Sequence, residues 1–94
     1  MDGGRTNGDL NPNEAEPLGK ELGPVIEEMR EEKAMDREQL AKRAGVDPKA
    51  VEHWETGRRI INNESLPRVA LALETRPSIM YARAERRGGW AEEG

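Results

Sequence analysis

The chain has 94 residues, which is enough for one small domain, and 36% of them are charged against 34% apolar. No apolar run approaches the length of a membrane-spanning helix, so no membrane association is expected. The absence of cysteine excludes disulfides and thiolate zinc sites, and one histidine cannot build a His-rich metal site. We therefore expect a soluble cytoplasmic protein with no cofactor and no metal.

The net charge of −4 is distributed unevenly along the sequence. Residues 1–17 carry −3 and residues 88–94 carry −2, so residues 18–87 carry +1. The overall acidity therefore misdescribes the middle of the chain and does not exclude a nucleic-acid partner.

Both ends are poor in apolar residues. Residues 1–17 are rich in Gly, Asn, Asp and Pro and cannot bury enough surface to offset the entropy of ordering. We predict a disordered N-terminal tail over 1–17, a folded domain over 18–87 and a flexible tail over 88–94. Trp90 leaves three alternatives open: contact with the core, a dimer contact or disorder.

Five helices follow from the apolar periodicity between the tails. The first, 18–33, has one apolar face and one acidic face. We expect the glutamates of the acidic face to be exposed to solvent and to have partners four residues away in the same helix. The second begins after Asp36, an N-cap with Gln39 three residues later as in a capping box, and ends at Gly45. The predicted buried residues of these two helices are Leu18, Leu22, Val25, Ile26, Met29, Leu40, Ala41 and Ala44.

The third helix begins with Asp47 as N-cap and Pro48 at the first helical position, and it ends at Gly57. The fourth helix carries Pro67, which must lie in its first turn. The fifth begins at Pro77. The predicted buried residues of these three helices are Val51, Trp54, Leu66, Val69, Ala70, Leu73, Ile79 and Met80, with Tyr81 as a further candidate.

Residues 37–57 have the spacing of a helix-turn-helix. A small residue, Ala41, allows the two helices to cross closely, and Gly45 permits the sharp turn between them. Val46 fills the corner, while Val51 and Trp54 anchor the second helix of the unit from below. The opposite face of that helix should be exposed to solvent.

These residues resemble the Xre-type helix-turn-helix family, the Cro and phage-repressor-like DNA-binding domains. The resemblance rests on LGPVIEEMREEK, REQLAKRAGV, an apolar residue at Val51, WETGRR and SLPRVALAL, and it covers about 18–85. It implies an all-α fold: a compact five-helix, lambda-repressor-like bundle. Arg37 stands where the family often has a phosphate-binding Gln, and Arg keeps a donor there.

The resemblance also implies which residues contact DNA, since the family places the third helix in the major groove. The base-reading candidates are Pro48, Lys49, Ala50, Glu52 and His53. The phosphate-contacting candidates are Arg37, Lys42, Arg43, the backbone around Gly57, Arg58 and Arg59. Two alternatives stay open: Glu52 can instead repel phosphate, and His53 can be a solvated surface residue.

The function that follows is a sequence-specific transcriptional regulator of bacterial or phage type, repressor-like, acting as a homodimer on double-stranded DNA in the nucleoid. The rival is an antitoxin-like or adaptor module that keeps the fold but binds a protein partner, which the net acidity, Pro48 and Glu52 favour. An enzyme is not expected, because the sequence shows no nucleophile elbow or Gly-rich phosphate loop, and its acidic residues lie on predicted solvent faces.

Overall fold

The computed structural model describes residues 17–88, with side chains from residue 19 onward. All five predicted helices are present, and this part of the chain contains no strand. The sequence predicts tails over 1–17 and 88–94, but Pro17 and Gly88 belong to the first and last helices. The rest of both tails, with Trp90, and the side chain of Leu18 lie outside the described residues. The helices are α1 (Pro17–Glu32), α2 (Arg37–Ala44), α3 (Pro48–Glu55), α4 (Ser65–Ala72) and α5 (Pro77–Gly88).

The turn between α2 and α3 is set by local hydrogen bonds that the sequence predicted. Asp36 accepts from the Gln39 amide (2.8 Å) and the Gln39 side chain accepts from the Asp36 amide (2.9 Å), which is the expected capping box. Gly45 ends α2 with φ +72°, a left-handed conformation that suits glycine. Asp47 then accepts from the Lys49 amide (3.1 Å) and starts α3 with Pro48 at its first turn. These contacts fix the direction in which α3 leaves α2.

The core lies where the helices meet: α1 packs against α3 and α5, and α2 packs against α3 and α4. The apolar faces predicted for α1 to α4 are confirmed for every side chain described. Met35 and Ile61, which lie in connecting segments, are also buried. The largest fully buried side chains are Leu22, Val25, Ile26, Leu40, Val51, Val69, Leu73 and Met80.

The prediction that Ile79 belongs to the core is wrong, because its side chain is 50% exposed. α5 buries Met80 and Ala84, which are four residues apart and share one helix face. Ile79 lies about 100° around the helix from Met80, outside that face. Tyr81, on the other flank, is half-buried and packs against the core.

Gly23 lets α1 approach the end of α3 closely. A Cβ placed on Gly23 would lie 2.0 Å from the Trp54 carbonyl oxygen and 3.5 Å from the Glu55 Cα. Both neighbours are backbone atoms, so a side chain here would force the two helices apart. The close crossing brings the C-terminal end of α3 against α1.

Ion pairs join α1 to α5 along their solvent side, and we refer to them as the α1–α5 seam. Arg83 pairs with Glu32 (2.8 Å), while Arg87 pairs with Glu21 (3.1 Å) and with Glu28. The expectation of i,i+4 partners within α1 is therefore wrong for Glu28 and Glu32. Their partners come from a helix that the packing brings alongside.

Candidate nucleic-acid interface

α3 has one buried and one accessible face. Val51 is fully buried and Trp54 is 6% exposed, so both anchor α3 in the core as predicted. On the other side, Pro48 and Lys49 are exposed, and Glu52 and His53 are half-buried. The accessible face thus begins at the N-terminal turn of the helix.

The base-reading candidates differ in how accessible their side chains are on this face. Lys49 Nζ lies 3.7 Å from Glu52 Oε1 in an i,i+3 pair, and both side chains are accessible. Such exposed pairs are weak, so Lys49 can leave Glu52 for another acceptor. Ala50 is half-buried and packs against the core, which leaves its methyl group less accessible than its neighbours. Pro48, Lys49, Glu52 and His53 therefore form the accessible part of α3.

A buried ion-pair cluster supports α3 from below. Arg30 donates from Nε to Glu55 Oε2 (2.8 Å), from Nη2 to Glu55 Oε1 (3.0 Å) and from Nη1 to the Met35 carbonyl (2.8 Å). Arg37 donates from Nε to Glu55 Oε1 (2.8 Å). The Glu55 side chain is 0% exposed and Arg30 is 8% exposed. The cluster ties α1, the start of α2 and the end of α3 together.

The buried polar groups of the cluster all have hydrogen-bond partners. The hydrogen bond to Glu55 is the main cause that raises the pKa of the Arg30 guanidinium, against the opposing effect of burial. No buried side-chain polar atom among the described residues lacks a partner. Two guanidinium groups share one carboxylate, so the cluster keeps one positive charge. Arg37 is the more exposed arginine and uses only Nε here, which leaves its phosphate-contacting role compatible with the geometry.

Sequence reasoning missed this cluster. It placed the acidic residues on solvent faces, and that expectation is wrong for Glu55, which is buried between two arginines. The available signal was the position of Glu55 four residues after the buried Val51, because residues i and i+4 lie on the same helix face. The partner, Arg30, lies 25 residues away in the sequence and is brought close only by tertiary packing.

The remaining phosphate-contacting candidates surround α3. Lys42 and Arg43 lie exposed in the last turn of α2, and Arg58 and Arg59 lie exposed after α3. Gly57 has φ +85°, and the Arg59 amide donates to the His53 carbonyl (3.1 Å), so the loop folds back on α3. No acidic side chain described here forms an ion pair with these four cations.

A cleft of about 320 Å³ opens beside this loop. Its lining includes the apolar Trp54 and Ile60 and three cations, Lys20 from α1 and Arg58 and Arg59 from the loop. Lys20 was not among the candidate residues of the sequence analysis. It is four residues into α1, and only the close crossing of α1 with α3 brings it near the loop.

Residues 17–88 contain no candidate metal site and no membrane-spanning helix. No three acidic or histidine side chains are placed to hold a metal ion there. None of the five helices is long and apolar enough to cross a membrane.

Comparisons with known proteins agree with this architecture. The helix-turn-helix family model matches residues 26–80. The fold also resembles the restriction-modification controller protein C.AhdI from Aeromonas hydrophila, at 30% identity and TM-score 0.62 over 67% of this chain and 94% of that one. No curated protein matches the sequence significantly.

Two further solved structures are similar. The clp gene regulator ClgR from Corynebacterium glutamicum has 26% identity and TM-score 0.70, over 74% of this chain and 91% of that one. The restriction-modification controller protein C.Esp1396I, solved as a tetramer with its natural 35 base-pair operator, has 25% identity and TM-score 0.69, over 80% and 97%. The fold and the match define a helix-turn-helix protein. The chain belongs to the Xre-type family of DNA-binding transcriptional regulators.

Proposed function

We propose that this protein binds an operator sequence in double-stranded DNA by placing α3 in the major groove. The observation that carries the proposal is the asymmetry of α3. Its inner face is fixed by Val51, Trp54 and the buried Glu55, while its outer face is accessible and flanked by cations without a described acidic partner. A rigid helix with a free face and surrounding positive charge is what docking on a duplex requires.

The base contacts we propose come from the first turns of α3. Lys49 is the strongest candidate, because an exposed ammonium group can donate to guanine O6 and N7. Glu52 holds Lys49 at 3.7 Å in the free protein and can accept from cytosine N4 when Lys49 is engaged. His53 and Pro48 border the same surface. Ala50 is half-buried, so it can contact a thymine methyl only where its side chain reaches the groove.

The phosphate contacts we propose come from two sides of α3. Lys42, Arg43 and the free nitrogens of Arg37 lie on the α2 side. The Gly57 backbone, Arg58 and Arg59 lie on the loop side. Contacts of this kind hold the helix in register and carry little sequence information.

We further propose that the protein acts as a homodimer on DNA, in the cytoplasm, as a repressor-like regulator. A single module buries only about 600–1,000 Å² of its surface on DNA, and a second copy supplies the missing affinity and specificity. The relative C.Esp1396I was solved as a tetramer on its operator, which supports an oligomer here. We propose no catalytic activity, since Glu55, the one buried carboxylate among the described residues, is held by two arginines.

Selection of bound duplexes from a random pool tests this function. We expect one sequence to be enriched, and Lys49→Ala to cost about 1–3 kcal/mol on it while relaxing the choice at one base pair. Lys42→Ala is the matched control, because a lost phosphate contact weakens all duplexes alike. If no sequence is enriched and no duplex binds at low salt, the proposal fails and the protein-interaction module takes its place.

A further inference from the structure

The cleft beside α3 has the chemistry of a site for an acidic peptide. Lys20, Arg58 and Arg59 place three cations around it, and no acidic residue lines it among the described residues. Trp54 and Ile60 add apolar surface to its lining. A volume of about 320 Å³ lies at the lower end of the range for ligand sites, which suits one or two side chains better than a large ligand.

The segment that precedes α1 has the complementary composition. Residues 1–16 contain four carboxylates against one arginine, a net side-chain charge of −3, and the apolar Leu10. The segment joins α1 at Pro17, and Lys20 lies only about 4.5 Å further along the helix axis. A covalently joined segment of this length has an effective concentration in the millimolar range at such a nearby site.

We propose that the acidic segment 1–16 binds this cleft, with its carboxylates on Lys20, Arg58 and Arg59, and competes there with DNA phosphates. The proposal rests on the proposed function, because Arg58 and Arg59 are the phosphate contacts that the segment occupies. The segment therefore acts as an internal competitor that lowers the affinity for every duplex, most strongly at low salt.

The segment 1–16 is favoured over the other acidic end for two reasons. It carries −3 against −2 for residues 89–94, and it enters the fold within one helical turn of Lys20. Residues 89–94 follow α5 instead, whose last turn is paired through Arg87 with Glu21.

Two full-length variants with the same charge change test the proposal. One carries Glu14→Gln and Glu16→Gln, and the matched control carries Glu92→Gln and Glu93→Gln. At about 50 mM salt, we expect the first to bind a scrambled duplex about 2- to 10-fold more tightly than the wild type, as two exposed ion pairs imply. We expect little change in the control, and convergence of all three proteins near 0.5 M salt. Equal gains in both variants would show a general charge effect and overturn the proposal.

A measurement without DNA separates this proposal from the proposed function. Backbone amide shifts of Lys20 and of residues 57–60 should differ between the wild type and the Glu14/Glu16 variant, and that difference should shrink in a Lys20→Gln background. If these amides do not respond, the cleft does not bind the segment, whatever the DNA affinities are. If they respond but no duplex binds any of the proteins, the segment docks as proposed and the DNA-binding function is the part that fails.

Discussion

Arg83 and Arg87 on α5 carry the same charge as Arg58 and Arg59 beside α3, in opposite surroundings. Arg83 and Arg87 face the glutamates of α1 and are neutralised by them. Arg58 and Arg59 face no described acidic side chain within ion-pair distance, although the chain as a whole is acidic. Net charge therefore says little about binding here, because the two α5 arginines are paired with glutamates while Arg58 and Arg59 have no acidic partner among the described residues.

The buried cluster under α3 contains one arginine that is neutralised in the interior and one that extends toward the surface. Glu55 neutralises Arg30 in the interior, while Arg37 reaches from the same carboxylate toward the surface. The carboxylate thus stabilises the position of α3 and leaves a positive charge at its edge. Removing it should affect stability far more than removing any surface charge.

The largest effect is expected for Glu55→Ala. This change leaves the buried Arg30 guanidinium without its carboxylate, which should cost about 3–5 kcal/mol and unfold much of so small a domain. Urea denaturation followed by circular dichroism measures the loss. Glu52→Ala is the matched control on the accessible face of α3, and it should stay within about 0.5 kcal/mol of the wild type. A Glu55→Ala protein as stable as this control would show that the cluster does not hold α3.

A smaller effect is expected in the α1–α5 seam. Arg87→Ala removes the pairs with Glu21 and Glu28 and should cost about 0.5–1.5 kcal/mol at low salt, falling toward zero near 1 M salt. Arg86→Ala, an exposed neighbour with no ion pair among the described residues, should cost less at either salt concentration. Equal, salt-independent losses in the two variants would mean that the seam contributes packing and not electrostatic stability.

The smallest effect concerns Glu74, which is exposed and accepts from Lys33 Nζ (2.8 Å). The Lys33 ammonium holds the pKa of the Glu74 carboxyl below its ordinary value. A carboxyl with a lowered folded-state pKa stabilises the fold above its unfolded pKa, about 4.3, and this contribution disappears as the pH falls through the folded value. Glu74→Gln should therefore lower Tm slightly at pH 7 and leave it unchanged near pH 2. The same Tm deficit at both pH values would contradict the ion-pair explanation.

Local signals account for what the sequence analysis predicted correctly. The capping box at Asp36, the turn at Gly45 and the start of α3 at Pro48 depend on neighbouring residues, and all three are present. The apolar faces of the first four helices likewise follow from periodicity within each helix. The pattern failed at Ile79, where a short apolar run in α5 did not reveal which of its residues faces the core.

Contacts between residues far apart in the sequence account for what the sequence analysis missed. Arg30 and Glu55 are separated by 25 residues, and Gly23 is required only because the Trp54 carbonyl lies against it. Lys20 becomes a candidate for the same reason, since it reaches the loop after α3 through that crossing. Such contacts depend on how helices pack, which the polarity pattern of one helix does not specify.

The proposed function depends on Arg58 and Arg59, the cations in the loop after α3, binding DNA phosphates, and the salt dependence of binding tests this most directly. We expect Arg58→Ala and Arg59→Ala each to flatten the plot of log affinity against log salt by about 0.9, equally for the selected operator and a scrambled duplex. Arg86→Ala on α5 is the control and should leave the slope unchanged. An unchanged slope in the Arg58 and Arg59 variants, or equal flattening in all three, would contradict the account.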